Sequence, residues 1–296
     1  MADTKIAWAE KTWNPALGCT KVSVGCAHCY AIKNIWRMAS NPNPKIADAC
    51  AGLVKPLPIY FTGDPAVLGR QDEMNLAWTG KINRVPRRLE EPQHWKKPAR
   101  VFVCSLSDWL HPDIPDEYVF QMIGAMLAAP WHRYLLLTKR PERIESIVRG
   151  YAESNRSSFI ALPDYQSPLW FGVSAENQRA AEQRIPILMG APVQHRWVSA
   201  EPLLGPLDLS DWLYPGGIEW VVAGCESGKD ARVDNPLWYD RLIDRCNPPH
   251  EEKTPLFIKQ TREGYITERG MFAALVHMPQ IGGRVWDEYP PELVTK

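Results

Sequence analysis

Between residues 100 and 260, six short apolar runs alternate with stretches of helical periodicity, and that alternation leaves few architectures open. The runs are VFVCSLSD (101–108), YLLLTKR (134–140), LWFGVSAE (169–176), RWVSAEPLLG (196–205), EWVVAGCESG (219–228) and PLFIKQ (255–260). Each is rich in Val, Leu, Ile, Phe or Trp without strict alternation, as strands covered on both faces are. Between them, 116–129, 141–152, 176–189 and Pro236–Cys246 space their apolar residues as helices do, and Pro141 suits a first helical turn. Strands alternating with helices predict βαβ units, hence an α/β chain with a partial or complete parallel (β/α) barrel of TIM type.

The first hundred residues are less regular. Residues 6–13 read as a first strand and 27–40 as a helix, while 41–75 are punctuated by Pro and Gly. The chain is therefore expected to be one domain over 1–296, with 41–100 as an irregular insertion and 261–296 as a C-terminal extension. No internal repeat or low-complexity tract interrupts it.

Nearly every apolar run ends in polar or charged residues: Ser105 and Asp108, Thr138 and Lys139, Ser174 and Glu176, Ser199 and Glu201, Glu226 and Ser227, Lys259 and Gln260. A single such ending is ordinary loop or cap chemistry. Six in series predict a shared polar pocket at the C-terminal strand ends, where parallel barrels carry their active sites.

The 296 residues are enough for one large domain or two small ones, and 45% hydrophobic with 23% charged residues is ordinary globular composition. The 13 Trp suit pockets and partner surfaces as well as cores. With 34 basic and 34 acidic residues the whole chain is no general polyanion binder. No apolar run reaches the roughly 20 residues that span a bilayer, and MADTKIAWAEKTW lacks the apolar stretch of a signal peptide. Seven Cys, an odd number, argue against a disulfide framework, and a cytoplasmic protein is expected.

Three of the seven crowd into NPALGCTKVSVGCAHCY, at Cys19, Cys26 and Cys29. Thiolates are soft ligands for zinc or iron–sulfur clusters, and three in eleven residues can reach one centre without long-range folding. Structural zinc usually takes a fourth ligand, often from a second C-x2-C pair, which this sequence lacks. His28 offers a cramped fourth. A four-iron cluster on three thiolates leaves one iron open. Iron–sulfur, zinc and unliganded thiols all stay possible on spacing alone.

TWNPALGCTKVSVGCAHCYA, VFVCSLSDWLHPDIP, LLLTKRPERI, WFGVSAEN, VSAEPLLGPLDL, WVVAGCESGKDAR and PLFIKQ are similar, in order, to a phage- and prophage-encoded three-Cys-motif family. That family was formerly of unknown function and resembles radical S-adenosylmethionine (SAM) enzymes. The resemblance implies a radical SAM barrel and a [4Fe–4S] cluster on Cys19, Cys26 and Cys29, whose open iron binds SAM. An electron donor such as flavodoxin, or dithionite in vitro, would then drive formation of a 5′-deoxyadenosyl radical. The C-x6-C-x2-C spacing departs from the usual C-x3-C-x2-C, and the aromatic Tyr30 follows the last Cys instead of preceding it. For substrate, the resemblance points to rearrangement or other modification of a hypermodified thymine in phage DNA. A nucleic-acid repair lyase of the same chemistry and a non-catalytic zinc- or cluster-binding nucleic-acid module are the alternatives.

On that resemblance the strand ends take roles. Ser105 and Asp108 would face the SAM amino group, Ser174 and Glu176 its ribose, and Lys139 with Arg140 its carboxylate or a substrate phosphate. Glu201 and Glu226 would accept from substrate amines or move protons. Cys225 would donate hydrogen to a substrate radical, or is simply a small buried residue. Segment 81–100, KINRVPRRLEEPQHWKKPAR, has seven basic residues against two Glu. Arg84, Arg87, Arg88, Lys96 and Lys97 beside Trp95 suit contact with phosphates and bases, or a solvated helix and loop. A base in duplex DNA must leave the stack to reach a buried radical, and Trp36, Trp78 and Trp109, if exposed, are candidates to replace or hold it.

Overall fold

The computed structural model describes residues 4–57, 75–155, 166–213, 216–228, 231–249, 252–267 and 270–294, with backbone alone for 263–267 and 270–273. All six apolar runs are strands. They form β6 (Arg100–Val103), β7 (Arg133–Thr138), β8 (Leu169–Ser174), β9 (His195–Ala200), β10 (Trp220–Gly224) and β11 (Leu256–Thr267). With β1 (Lys11–Trp13) and β12 (Gly270–His277) they make one eight-stranded sheet in the order β1-β6-β7-β8-β9-β10-β11-β12. Every pair from β1 to β11 is parallel, and β12 returns antiparallel to β11. The fold is thus mixed α/β, built on a curled, mostly parallel sheet.

Between β1 and β6 lie β2 (Ala16–Leu17), α1 (Tyr30–Ala39), α2 (Pro44–Cys50), β3 (Val54–Pro56), β4 (Leu76–Trp78) and β5 (Asn83–Arg84). They enclose a small apolar core of their own around Leu17, Ile35 and Leu53. The crossovers supply α3 (Asp116–Leu127), α4 (Ile144–Ser154), α5 (Gln178–Gly190) and α6 (Pro236–Cys246). The irregular N-terminal part therefore begins directly after β1 and includes the cysteine loop. The C-terminal part is less separate than the sequence suggests, because β11 runs on to Thr267 and β12 joins the main sheet. Residues 58–74, within the Pro- and Gly-punctuated stretch, lie outside the described residues.

Each strand sends alternate side chains to opposite faces. Val101, Leu136, Phe171, Val198 and Val221 face the helix-covered core. Phe102, Leu135, Trp170, Trp197, Trp220 and Phe257 face the other side and pack together there. Trp8, just before β1, meets the rings of Phe102 at 4.7 Å, Trp197 at 5.5 Å and Trp220 at 6.3 Å. One indole touching β6, β9 and β10 at once requires the sheet to curl around it. Gly172 makes room for this floor, since a Cβ there would stand 2.4 Å from the Trp197 indole. Trp109, expected among candidate exposed indoles, is instead 1% exposed and packs against Phe171 from β8.

Candidate functional site

The cysteines sit on the loop that leads from β2 into α1. Within it Lys21 Nζ donates to Ala27 O at 3.0 Å, and a single 3-10 turn spans Val24–Cys26. Cys29 is the N-cap of α1, so its sulfur lies at the positive end of a helix. Together Cys19, Cys26 and Cys29 line a cavity of about 210 Å³ over the C-terminal ends of the parallel strands. All seven cysteines are thiols without disulfide partners. Cys50, Cys104, Cys225 and Cys246 are buried, whereas the three of the loop are partly exposed.

The same cavity is walled by Ser105, Asp108, Thr138, Lys139, Ser174, Ser199, Glu201, Glu226, Ser227, Lys259 and Gln260. All six strand ends singled out from the sequence therefore converge on the cysteine loop. Cys225 lines it too, and burial pushes its thiol up to about 12. Burial likewise pushes the Cys19 thiol up to about 12, with Asp108 adding to the rise and Arg140 opposing it. Burial raises Cys29 as well, against the amides of Ala31 and Ile32 that ease its ionisation. Such thiols ionise when a bound metal draws off the proton.

Several acidic residues turn out to brace the site. Asp108 accepts from Thr138 Oγ1 at 2.7 Å, from Lys139 N at 3.1 Å and from Arg140 Nη1 at 2.8 Å. Arg140 then donates to Thr20 O at 3.1 Å and lies 4.0 Å from Cys19 Sγ. It is therefore committed to the loop, leaving Lys139 as the cavity cation without an ion pair among the described residues.

Glu176 is fully buried, and the cap of α5 by Asn177, which accepts from Ala180 N at 3.0 Å, leaves it in the turn before the helix. Burial opposes its charge, but Lys139 and Arg184 overcome this and hold its carboxyl below the usual range. Arg184 Nη1 stands 2.7 Å away, and the carboxyl lies directly under Gly25, where a Cβ would come within 3.1 Å of it. Glu176 thus supports the cysteine loop from below and does not line the cavity.

Glu226 does the same from the side. It meets His28 Nδ1 at 2.9 Å and is gripped by Arg232 through Nε at 3.0 Å and through Nη2. Arg232 Nη2 also donates to Val24 O at 3.0 Å. Burial again opposes the charge, but these donors outweigh it and pull the Glu226 carboxyl down to about 2. With Nδ1 of His28 engaged, the soft donors of the loop are the three thiols. No group of three His, Cys, Asp or Glu suited to a single metal ion occurs among the described residues.

Glu201 bridges floor and mouth, accepting from Trp8 Nε1 at 2.9 Å and pairing with Lys259 Nζ at 3.1 Å. Ser199 Oγ is buried in the cavity wall without a hydrogen-bond partner, so one polar group there is left for a ligand. Arg184, Arg232 and Trp8 went unread in the sequence. Arg232 lies within the AGCESGKDAR motif, but nothing local signals the partners of Arg184 and Trp8, which are set by packing.

The basic segment does not form one face. Arg84 stacks 5.7 Å over the Tyr118 ring, Arg87 donates to Lys45 O, and Arg88 donates to Asn14 O at 3.0 Å. Lys96 and Lys97 are exposed and are not among the residues lining the cavity. Trp36 and Trp78 are half-buried against the small core of the insertion.

No helix of the described residues is long and apolar enough to cross a membrane. Residues 3–290 match the profile of a family described as "Protein of unknown function (DUF5131)". No match was found among curated proteins or among solved structures.

Proposed function

We propose that this chain, which belongs to the DUF5131 family, is a radical SAM enzyme on a partial (β/α) barrel, acting on a base in DNA. The observation that carries the reading is the convergence of three cysteines and six polar strand ends on one cavity. The donor chemistry fits: three thiols on one loop, cations beside them, and one polar wall group, Ser199 Oγ, without an internal partner. Cys19, Cys26 and Cys29 would hold three irons of a [4Fe–4S] cluster and leave the fourth for SAM. When bound, cluster and SAM supply a 5′-deoxyadenosyl radical that takes hydrogen from the substrate.

The chain's own residues bind and position. Arg140, held by Asp108, fixes the first arm of the loop at Thr20 and Cys19. Arg232 and Glu226 fix the second arm at Val24 and His28. Glu176 and Arg184 support Gly25 between them. Asp108, Glu176 and Glu226 are thereby assigned to positioning the loop. Lys139, Ser174 and Ser199 remain to hold SAM, beside Ser105, whose hydroxyl is bonded to Asn14, with Lys139 the group suited to its carboxylate. Glu201 and Lys259, paired in the cavity, would exchange a proton with substrate. A hypermodified thymine in phage DNA remains the leading substrate, with flavodoxin or a similar donor supplying the electron. Such a cluster belongs in a reducing compartment, the cytoplasm of the host cell.

Anaerobic purification with iron and sulfide analysis tests the reading. A brown protein with about four irons that releases 5′-deoxyadenosine from SAM under dithionite is expected. A colourless zinc protein that leaves SAM intact sinks it in favour of a non-catalytic module. Nucleoside analysis after incubation with phage DNA then separates base rearrangement from a repair-type cleavage.

A further inference from the structure

The two edges of the curled sheet, β1 and β12, do not pair. They face each other across a cleft of about 1010 Å³, lined by Lys11 and Asn14 on one side and by Leu275 and His277 on the other. The cleft opens into the cysteine cavity, because Tyr30, Ser105, Ser227, Lys259 and Gln260 line both.

Its charge is unlike that of the molecule. Lys5, Lys11, Arg37, Arg88 and Lys259 line it, with Glu91 the one acidic residue among the described lining residues, in a chain whose formal net charge is zero. Arg88 is engaged by Asn14 O and Glu91, and Lys259 by Glu201, so Lys5, Lys11 and Arg37 are the cations there without an ion pair among the described residues. These cations come from the N-terminus, β1, α1, the insertion and β11, and of the 81–100 basic segment Arg88 and Trp95 reach the cleft. Lys11 Nζ stands 5.3 Å over the Trp95 ring, so a cation and an indole sit side by side in the wall of the cleft. Met38, Ile46 and Leu106 add apolar wall. Cations interleaved with an aromatic and aliphatic surface are what an unpaired polynucleotide strand requires: phosphates outward on Lys and Arg, bases against the apolar groups.

We propose that this cleft holds an unpaired nucleic-acid strand, with the base to be modified reaching past the shared rim into the cysteine cavity. What happens to that base rests on the radical SAM reading above; the binding does not. The partner is the single strand and not the duplex, since the cleft is at the upper end of ligand-pocket size and the reacting position is recessed behind it.

Fluorescence anisotropy with a short labelled oligothymidylate, followed over a salt series, tests the proposal. Binding should weaken with salt, and the same duplexed oligonucleotide should bind less tightly. Lys11→Gln with Arg37→Gln should weaken binding about tenfold at low salt and reduce the salt slope by about 1.4, two single-strand phosphate contacts' worth. Lys96→Gln with Lys97→Gln, outside the cleft, should leave both unchanged; circular dichroism confirms that each variant is folded. The proposal is overturned if the oligonucleotide does not bind, if polyglutamate displaces it equally well, or if the Lys96 and Lys97 pair matters as much as the cleft pair. Iron content and SAM cleavage of the same preparation report separately on the radical reading, so either idea can fail alone.

Discussion

The two ends of the sheet's inner face are made by the same strands and differ in nearly every physical respect. At the N-terminal ends, Phe102, Trp170, Trp197, Trp220 and Phe257 close around Trp8 in an apolar floor. At the C-terminal ends, Ser174, Ser199, Glu201, Glu226 and Lys259 surround the cysteine loop. A few residues along each strand turn bulk packing into a polar, cation-rich mouth. On the proposed reading, stability belongs to the floor and chemistry to the mouth, the division that parallel α/β barrels show. Glu201 spans the division, touching Trp8 below and Lys259 above.

The largest expected effect lies in the mouth. Cys19→Ala, Cys26→Ala or Cys29→Ala should abolish bound iron and SAM cleavage together, while Cys50→Ala and Cys246→Ala keep both. Iron analysis on folded protein decides it, and persistence of the cluster without any one of the three refutes the ligand assignment. In the floor, Trp197→Ala should cost about 3–5 kcal/mol in urea unfolding and leave the iron per folded molecule unchanged.

Asp108→Ala probes whether the mouth is purely chemical. It strands the buried Arg140 guanidinium, which should cost about 3–5 kcal/mol and loosen the Thr20 arm of the loop. Iron lost at a concentration of denaturant where the fold survives would show that this ion pair holds the loop specifically. Gly172→Ala, whose methyl meets the Trp197 ring, should destabilise by about 1–3 kcal/mol with no change in iron content.

The smallest effect is a change in pH dependence. The Glu226 carboxyl is held at about 2 against an ordinary 4.5, so its contribution is complete above pH 4.5 and fades as the pH falls toward 2. Glu226→Gln should flatten that part of a stability–pH curve measured by thermal unfolding. An unaltered acid limb would remove Glu226 from the clamp on the loop.

Local signals foretold much of this architecture. Pro236 at a helix start and Asn235, whose side chain accepts from Leu237 N at 3.0 Å, place α6 where its periodicity does. The apolar runs became strands because near-continuous Val, Leu and Trp are stable only when both faces are covered. Helix starts moved where a cap intervened: Asn177 shifted α5 and left Glu176 in a turn. The side chains of the basic segment 81–100 diverge for a different reason. Charge density along a chain does not specify direction, and Arg84, Arg87 and Arg88 found three separate partners.

From residue types and spacing alone came the parallel α/β plan, the polar strand ends and the three thiols. These are local matters of periodicity, capping and donor chemistry. Folding was needed to show that Asp108, Glu176 and Glu226 are taken up by Arg140, Arg184 and Arg232, and that five scattered cations meet in one cleft. Glu226 and Arg232 meet within one loop and Glu176 and Arg184 across the start of α5, while Asp108 and Arg140, 32 positions apart, meet because β6 and β7 lie side by side. A carboxylate that resembles a ligand in the sequence becomes a brace when a buried guanidinium needs its charge balanced.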